Sequence, residues 1–267
     1  MCWALGLAAA QPVGLIEMFG SMAKSFHPGR AAQNGLAAAH LAAKGFTASE
    51  HALEAHFGWL NVLSTERNSA ALDGEGWEIL KNSYKPFACG LVVHPVIDGC
   101  IQLRNSSRLT TDMIERVEVV VHPRVMQITA IKEPKTGLEG KFSVYHAAAV
   151  ALVEGAAGER QLSDEAVRTR ATAELRRRVF PSIDPAIGKV QARVTITLKN
   201  AKRHMVFVEH TVGSVKKPMS DAAIEQKVFG LADGILRPDQ IRQVVDLCWR
   251  ADELDDPGEI AQRSAKA

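Results

Sequence analysis

Lys24 and His27 stand three positions apart in KSFHPGRAAQNG (24–35), with Gly29 and Arg30 directly behind them. Lysine is a compact cation that can anchor a carboxylate, and histidine exchanges a proton near neutral pH. A helix read from Arg30 onward would add the positive potential of its N-terminus. A second group lies in KPFACGLVVHP, where Lys85 and His94 flank Cys89 and Gly90. A third opens KFSVYHAAA, with Ser143, Tyr145 and His146 at the head of an apolar run. Each has a plainer reading as well. Lys24 and His27 would be solvated on a turn, His94 would cap a helix, and Ser143 with its neighbours would cap another.

The elements that must position these groups follow from periodicity. RAAQNGLAAAHLAAKG is an Ala/Leu-rich helix that Gly45 can end. TASE (47–50) has capping-box spacing and predicts a further helix leading into FGWLNVLS. STERNSAALDGEG (64–76) predicts a surface loop. WEILKNSYKPF reads as short and extended, since Pro86 disfavours helical geometry at Lys85. HPVIDGCIQLR predicts a helix with Pro95 in its first turn, and RVEVVVH (116–122) a strand. KFSVYHAAAVALVEG predicts a helix ended by Gly155. ARVTITLKN alternates, with Val194, Ile196 and Leu198 on one face, and RHMVFVEH follows as its hairpin partner. MSDAAIEQKVFGLADGIL predicts a helix capped by Ser220, and PDQIRQVVDLCWRADEL one more amphipathic helix. The expected fold class is α+β: a helical domain formed by both chain ends, with an inserted α+β block.

Composition narrows the functional classes. The 267 residues carry 32 basic and 30 acidic side chains, a net charge of +2, which gives no electrostatic reason to expect nucleic acid or an anionic membrane. The densest basic run, RTRATAELRRRVF (168–180), reads as a solvated helix face, with an anion or partner site as the alternative. Cys2, Cys89, Cys100 and Cys248 form no CxxC pair, so reduced thiols in a cytoplasmic protein are expected and neither a metal site nor an iron–sulfur site is supported. The apolar start lacks a basic n-region, so no signal peptide is expected. GxGxxG after a strand, GxxxxGK[ST], GxSxG and HExxH are all missing from the sequence. Catalysis would therefore rest on protonic side chains and fixed cations.

KSFHPGRAAQNG, KPFACGLVVHPVID, KFSVYHAAAVALVEG and VKKPMSDAAIEQKV, in this order, resemble successive motifs of the MmgE/PrpD family, which includes 2-methylcitrate dehydratase and cis-aconitate decarboxylase. The resemblance runs from about residue 3 to about residue 236. It implies a first helical part over 1–84, an inserted α+β lid over 85–216 and a C-terminal helical part over 217–267. It also implies a homodimer without an organic cofactor and an active site in the cleft between helical domain and lid.

Carried over by motif, Lys24, His27 and His94 are the catalytic residues, and Lys24, Lys85, Arg30, Cys89, Gly90 and His146 bind substrate. Cis-aconitate decarboxylases place a catalytic histidine where this chain has Gly90, and many members carry tyrosine at the position of His146. Family members also have a long N-terminal helical portion with acid/base groups, which the resemblance implies is missing here. A separate chain would then supply it. The implied reaction is cofactor-independent dehydration of a 2-methylcitrate-like hydroxy di- or tricarboxylate. The alternatives are epimerisation of a carboxylic acid at the same site, an inactive fragment or subunit, or a purely structural role.

Overall fold

Four strands and the helices that cover them frame the residues of interest. The structure, a computed structural model, describes residues 1–12, 14–66, 74 and 76–265. It divides into two units, Met1–Glu78 and Ile79–Ala267. Most of the loop expected over 64–76 falls outside the described residues.

The first unit contains α1 (Cys2–Ala9), α2 (Ala23–Ala43) and α3 (Trp59–Leu63). α1 packs along α2, and Asn34 of α2 donates from Nδ2 to the Gln11 carbonyl at 3.1 Å. Gly6 brings α1 close to the segment that follows α2: a Cβ there would sit 2.9 Å from the Ser49 carbonyl oxygen. Two expectations are corrected here. The helix expected from residue 30 starts at Ala23 and runs through Pro28, so Lys24, His27 and Arg30 lie on one helix rather than on a turn ahead of one. The capping box at 47–50 does not open a helix either. Ser49 Oγ accepts instead from the His51 amide at 3.2 Å, and the chain turns without helix until Trp59. Serine commonly offers the backbone this alternative.

In the second unit, α4 (His94–Ser106), β1 (Ile114–Val121), α5 (Pro123–Thr129), α6 (Gly137–Gly140) and α7 (Val144–Glu154) come first. They are followed by α8 (Asp164–Arg168), α9 (Arg170–Arg176), β2 (Val179–Ile183), β3 (Ala192–Leu198) and β4 (Arg203–Val208). The unit closes with α10 (Asp221–Ala232), α11 (Pro238–Trp249) and α12 (Gly258–Arg263). The segment expected to be extended before Lys85 holds instead a 3-10 turn at Glu78–Lys81.

The sheet order is β2-β1-β3-β4, with β1 parallel to β2 and antiparallel to β3, and with the expected β3–β4 hairpin. Val117, Val119, Val194 and Ile196 meet in register on the covered face, where α4 lies on β3 and β4 and α7 on β2. Pro181 sits on the edge strand β2, where a missing amide disturbs no further ladder. On the other face, Arg116 stacks 3.9 Å from the Phe180 ring, and Phe180, Met205 and Phe207 are exposed.

α4 is the buried centre of this unit. His94, Val96, Ile97 and Cys100 are each fully buried. Gly99 lets the helix press onto the sheet, since a Cβ there would meet Val194 Cγ2 at 2.8 Å. Ser143 caps α7 by accepting from the His146 amide at 3.0 Å, and Gly155 ends it in the left-handed region at φ +70°. Among the described residues, no helix is long and apolar enough to cross a membrane.

Candidate functional site

The loop from Tyr84 to Gly90 is fixed at both ends. Tyr84 donates its amide to the Gly213 carbonyl at 2.8 Å. Gly213 has φ +86°, and a side chain there would collide with the Tyr84 carbonyl. At the other end, the Gly90 amide points to the Lys141 carbonyl at 3.4 Å, and Ala88 donates to Ala157 at 3.0 Å.

Within this frame the exposed Lys85 donates from Nζ to the Cys89 carbonyl at 3.3 Å. The Phe87 ring meets the His94 ring edge-on, with centroids 5.2 Å apart. His94 opens α4, with Pro95 in the first turn as the sequence suggests. Its side chain is fully buried, and neither ring nitrogen has a hydrogen-bond partner among the described residues. Burial, then the ammonium of Lys85 and, more weakly, that of Lys227, push its pKa down to about 4, with the Cys89 backbone opposing the shift. The ring is therefore neutral at pH 7.

Cys89 is buried as well, and loss of solvent pushes its thiol up to about 12 despite the nearby ammonium groups of Lys85 and Lys141. Its contribution to this loop comes through the backbone carbonyl, not a thiolate. Gly90 has φ −62° and ψ 130°, and a Cβ built there meets nothing closer than 3.8 Å. No backbone constraint requires glycine at this position.

Lys85 and Lys141 thus act on the Cys89 thiol, and Lys85 with, more weakly, Lys227 on the His94 ring. Lys141 is paired with Glu159 at 2.6 Å. One turn along α4 from His94, the buried Asp98 accepts from the Val212 amide at 3.1 Å and from Lys217 at 3.2 Å. It also accepts from Gln102 at 2.9 Å. These bonds hold α4 to the segment that follows β4.

The structure brings Lys85, Cys89, Gly90 and His94 together. His146 faces elsewhere: its Nε2 lies 3.2 Å from the Gln161 carbonyl, so that nitrogen carries the proton, and its ring lies against Gly140. Burial holds its pKa down at about 4. Lys24, His27 and Arg30 belong to the first unit. There Lys24 lies 6.0 Å from the Phe19 ring centre, the His27 ring packs against Gly14, and Arg30 donates to Gln33 at 2.9 Å. Sequence reasoning missed Asp98 and Lys141. Both stand inside the quoted motifs, but nothing in their spacing separates them from ordinary helix-surface residues. Among the described residues, no cluster of His, Cys, Asp and Glu could hold a metal ion.

Comparison with known proteins agrees with the motif order. The family model for the MmgE/PrpD C-terminal domain matches residues 87–251, and that for the MmgE/PrpD N-terminal domain matches residues 1–71. A human protein named cis-aconitate decarboxylase is 22% identical over 266 residues, covering 95% of this chain and 55% of the relative. The chain thus spans about half the length of that curated relative. The expectation that the N-terminal portion is missing is not borne out, because the N-terminal domain model matches 1–71.

Proposed function

The chain belongs to the MmgE/PrpD family, and from that premise we propose that it is a lyase eliminating water from a 2-methylcitrate-like hydroxy di- or tricarboxylate. The supporting observation is the exposed ammonium of Lys85, held on the Cys89 carbonyl of a fixed loop beside the buried, neutral ring of His94. An anion suits an ammonium that meets no acidic partner among the described residues.

In the proposed reaction a base removes the proton α to a carboxylate, the C–O bond breaks, and an acid protonates the departing hydroxyl. A C=C bond and water result. Charge accumulates on the carboxylate already present, so fixed cations lower the barrier. A deleted donor of this kind costs about 3 kcal/mol in typical cases. Lys85 is solvent-accessible and, among the described residues, hydrogen-bonds to a neutral carbonyl. Exchanging that carbonyl for a carboxylate gives a stronger, charge-assisted bond and frees the loop beside His94. The arriving negative charge also offsets the cationic field on the imidazole. That brings its pKa back toward the range suited to proton transfer. Lys24 and His27 enter the proposal by motif alone, as carboxylate anchor and proton-transfer group.

The relative's name favours a second reading, decarboxylation of an unsaturated tricarboxylate. The resemblance assigns that chemistry a histidine where this chain carries Gly90, so dehydration is preferred. The proposal extends to a homodimer, supported by the exposed Leu15, Ile16, Phe26 and Leu36 of the first unit. Purified protein incubated with 2-methylcitrate or with cis-aconitate, followed by proton NMR, separates the readings. An alkene signal from the first supports dehydration, carbon dioxide release from the second supports decarboxylation, and neither product removes both.

A further inference from the structure

The arginines of the basic run 168–180 differ in their partners. Arg168 pairs with Asp164 at 3.6 Å, Arg170 pairs with Glu174 at 2.7 Å, and Arg178 donates to the Ile114 carbonyl at 2.7 Å. Arg176 and Arg177, at the C-terminal end of α9, instead line a cavity of about 210 Å³ with Lys132, Glu133 and Lys135 of the loop between α5 and α6. Both walls are fixed. Arg168 donates from Nε to the Lys135 carbonyl at 3.3 Å, and the Lys135 and Gly137 amides donate to Glu139 and Asp164, each at 2.7 Å. Arg176 is half-buried and donates from Nη1 to the Val167 carbonyl at 3.2 Å. Four cations therefore surround one carboxylate, that of Glu133, and among the described residues none of the four forms an ion pair. The C-terminal end of α9 adds at most about half a negative charge, so a positive surplus remains. Burial holds the Arg176 guanidinium below its ordinary pKa, Glu133 opposes that shift, and Arg177 adds to it. An anion entering the cavity relieves this crowding of like charge.

The volume lies below the roughly 300 Å³ at which pockets for drug-sized molecules begin, so the ligand is a small anion or one charged group of a larger molecule. A carboxylate presents two oxygens and a single charge. A phosphate presents three or more oxygens and about two charges at pH 7, which suits two guanidinium forks and two ammonium groups. We propose that this cavity binds phosphate, as the free ion or as the phosphate of a small monoester, at a site apart from the Lys85 loop. The cavity and that loop share no lining residue. The inference stands independently of the lyase reading.

Calorimetric titration of the full chain at constant ionic strength tests it, with inorganic phosphate, glycerol 3-phosphate and citrate as ligands. The proteins are wild type, Lys135→Gln, Arg177→Gln, Glu133→Gln and Lys85→Met. Lys135, Arg177 and Glu133 are exposed, so their variants should fold, and thermal melts confirm it. Removing one charge-assisted bond corresponds to a loss of affinity of about 10-fold or more. That loss is expected for phosphate in Lys135→Gln and in Arg177→Gln, with wild-type affinity in Lys85→Met. Glu133→Gln should bind phosphate about threefold more tightly, an effect that simple destabilisation would not produce. Tighter binding of glycerol 3-phosphate than of inorganic phosphate assigns the site to a monoester, and the reverse order assigns it to the free ion. Wild-type phosphate affinity in the folded Lys135→Gln and Arg177→Gln proteins would overturn the inference. So would loss of phosphate binding in Lys85→Met, tighter binding of citrate than of either phosphate, or a wild type that binds neither phosphate.

Discussion

The ammonium of Lys85 donates to the carbonyl oxygen of Cys89 at 3.3 Å, and the loop it closes lies beside the buried ring of His94. Lys85 therefore acts on the imidazole electrostatically as well as on any ligand. Lys85→Met is expected to raise the His94 pKa from about 4, but not to its ordinary value, because burial is the larger cause and persists. NMR titration of the ring protons measures this. An unmoved His94 would mean that the ammonium is too far away or too well screened.

Both His94 and His146 carry pKa values near 4 against an ordinary value of 6.5. The unfolded chain takes up protons as pH falls through about 6.5, whereas the folded chain does so only near 4. Stability from these rings is thus complete above about 6.5 and declines as pH falls toward 4, by an order of 3 kcal/mol per ring. Urea unfolding at both ends of that window reads the loss. His94→Leu should reduce the dependence on pH, because it removes one of the two rings that must charge as the chain unfolds.

Cys89 and Cys100 are buried with thiols pushed upward by loss of solvent, while Cys2 and Cys248 are exposed. Iodoacetamide on the folded protein at mildly alkaline pH should label Cys2 and Cys248 and spare the other two. Peptide mass spectrometry checks it, and rapid labelling of Cys89 would show that its thiol is open and ionised.

Gly90 and Gly99 should respond oppositely to alanine. A Cβ at Gly90 finds ordinary contacts, whereas at Gly99 it meets valine methyls at 2.8, 3.2 and 3.3 Å from β3 and β4. Gly90→Ala should leave stability within about 0.5 kcal/mol. Gly99→Ala should cost about 1–3 kcal/mol by overpacking. Denaturant melts compare them, and an equally mild Gly99→Ala would mean that α4 can lift from the sheet at little cost.

Elements governed by local signals were readable from the sequence. Ser143 and Gly155 bound α7, Pro95 opens α4, Ser220 caps α10, and the alternation of 192–198 gives β3. Tertiary partners decided what was misread. The helix was read from Arg30 onward, yet α2 begins at Ala23 and passes through Pro28, which lies in its second turn where one helical hydrogen bond is lost. β2 begins directly after three consecutive arginines, whose charges mask a strand that exists by pairing with β1. Lys85, Cys89, Gly90 and His94 were legible as a group because they fall within ten residues of chain, 85–94.

The central claim is that the loop carrying Lys85 serves a lyase acting on a polycarboxylate. The most direct measurement is turnover of 2-methylcitrate by purified wild-type protein and by folded Lys85→Met and Lys24→Ala, read by proton NMR of the alkene product. The account predicts product with the wild type and a loss of about 100-fold or more in Lys85→Met, in line with removal of one preorganised donor. It also predicts a substantial loss in Lys24→Ala. Undiminished turnover in folded Lys85→Met, or no conversion by the wild type, would contradict it.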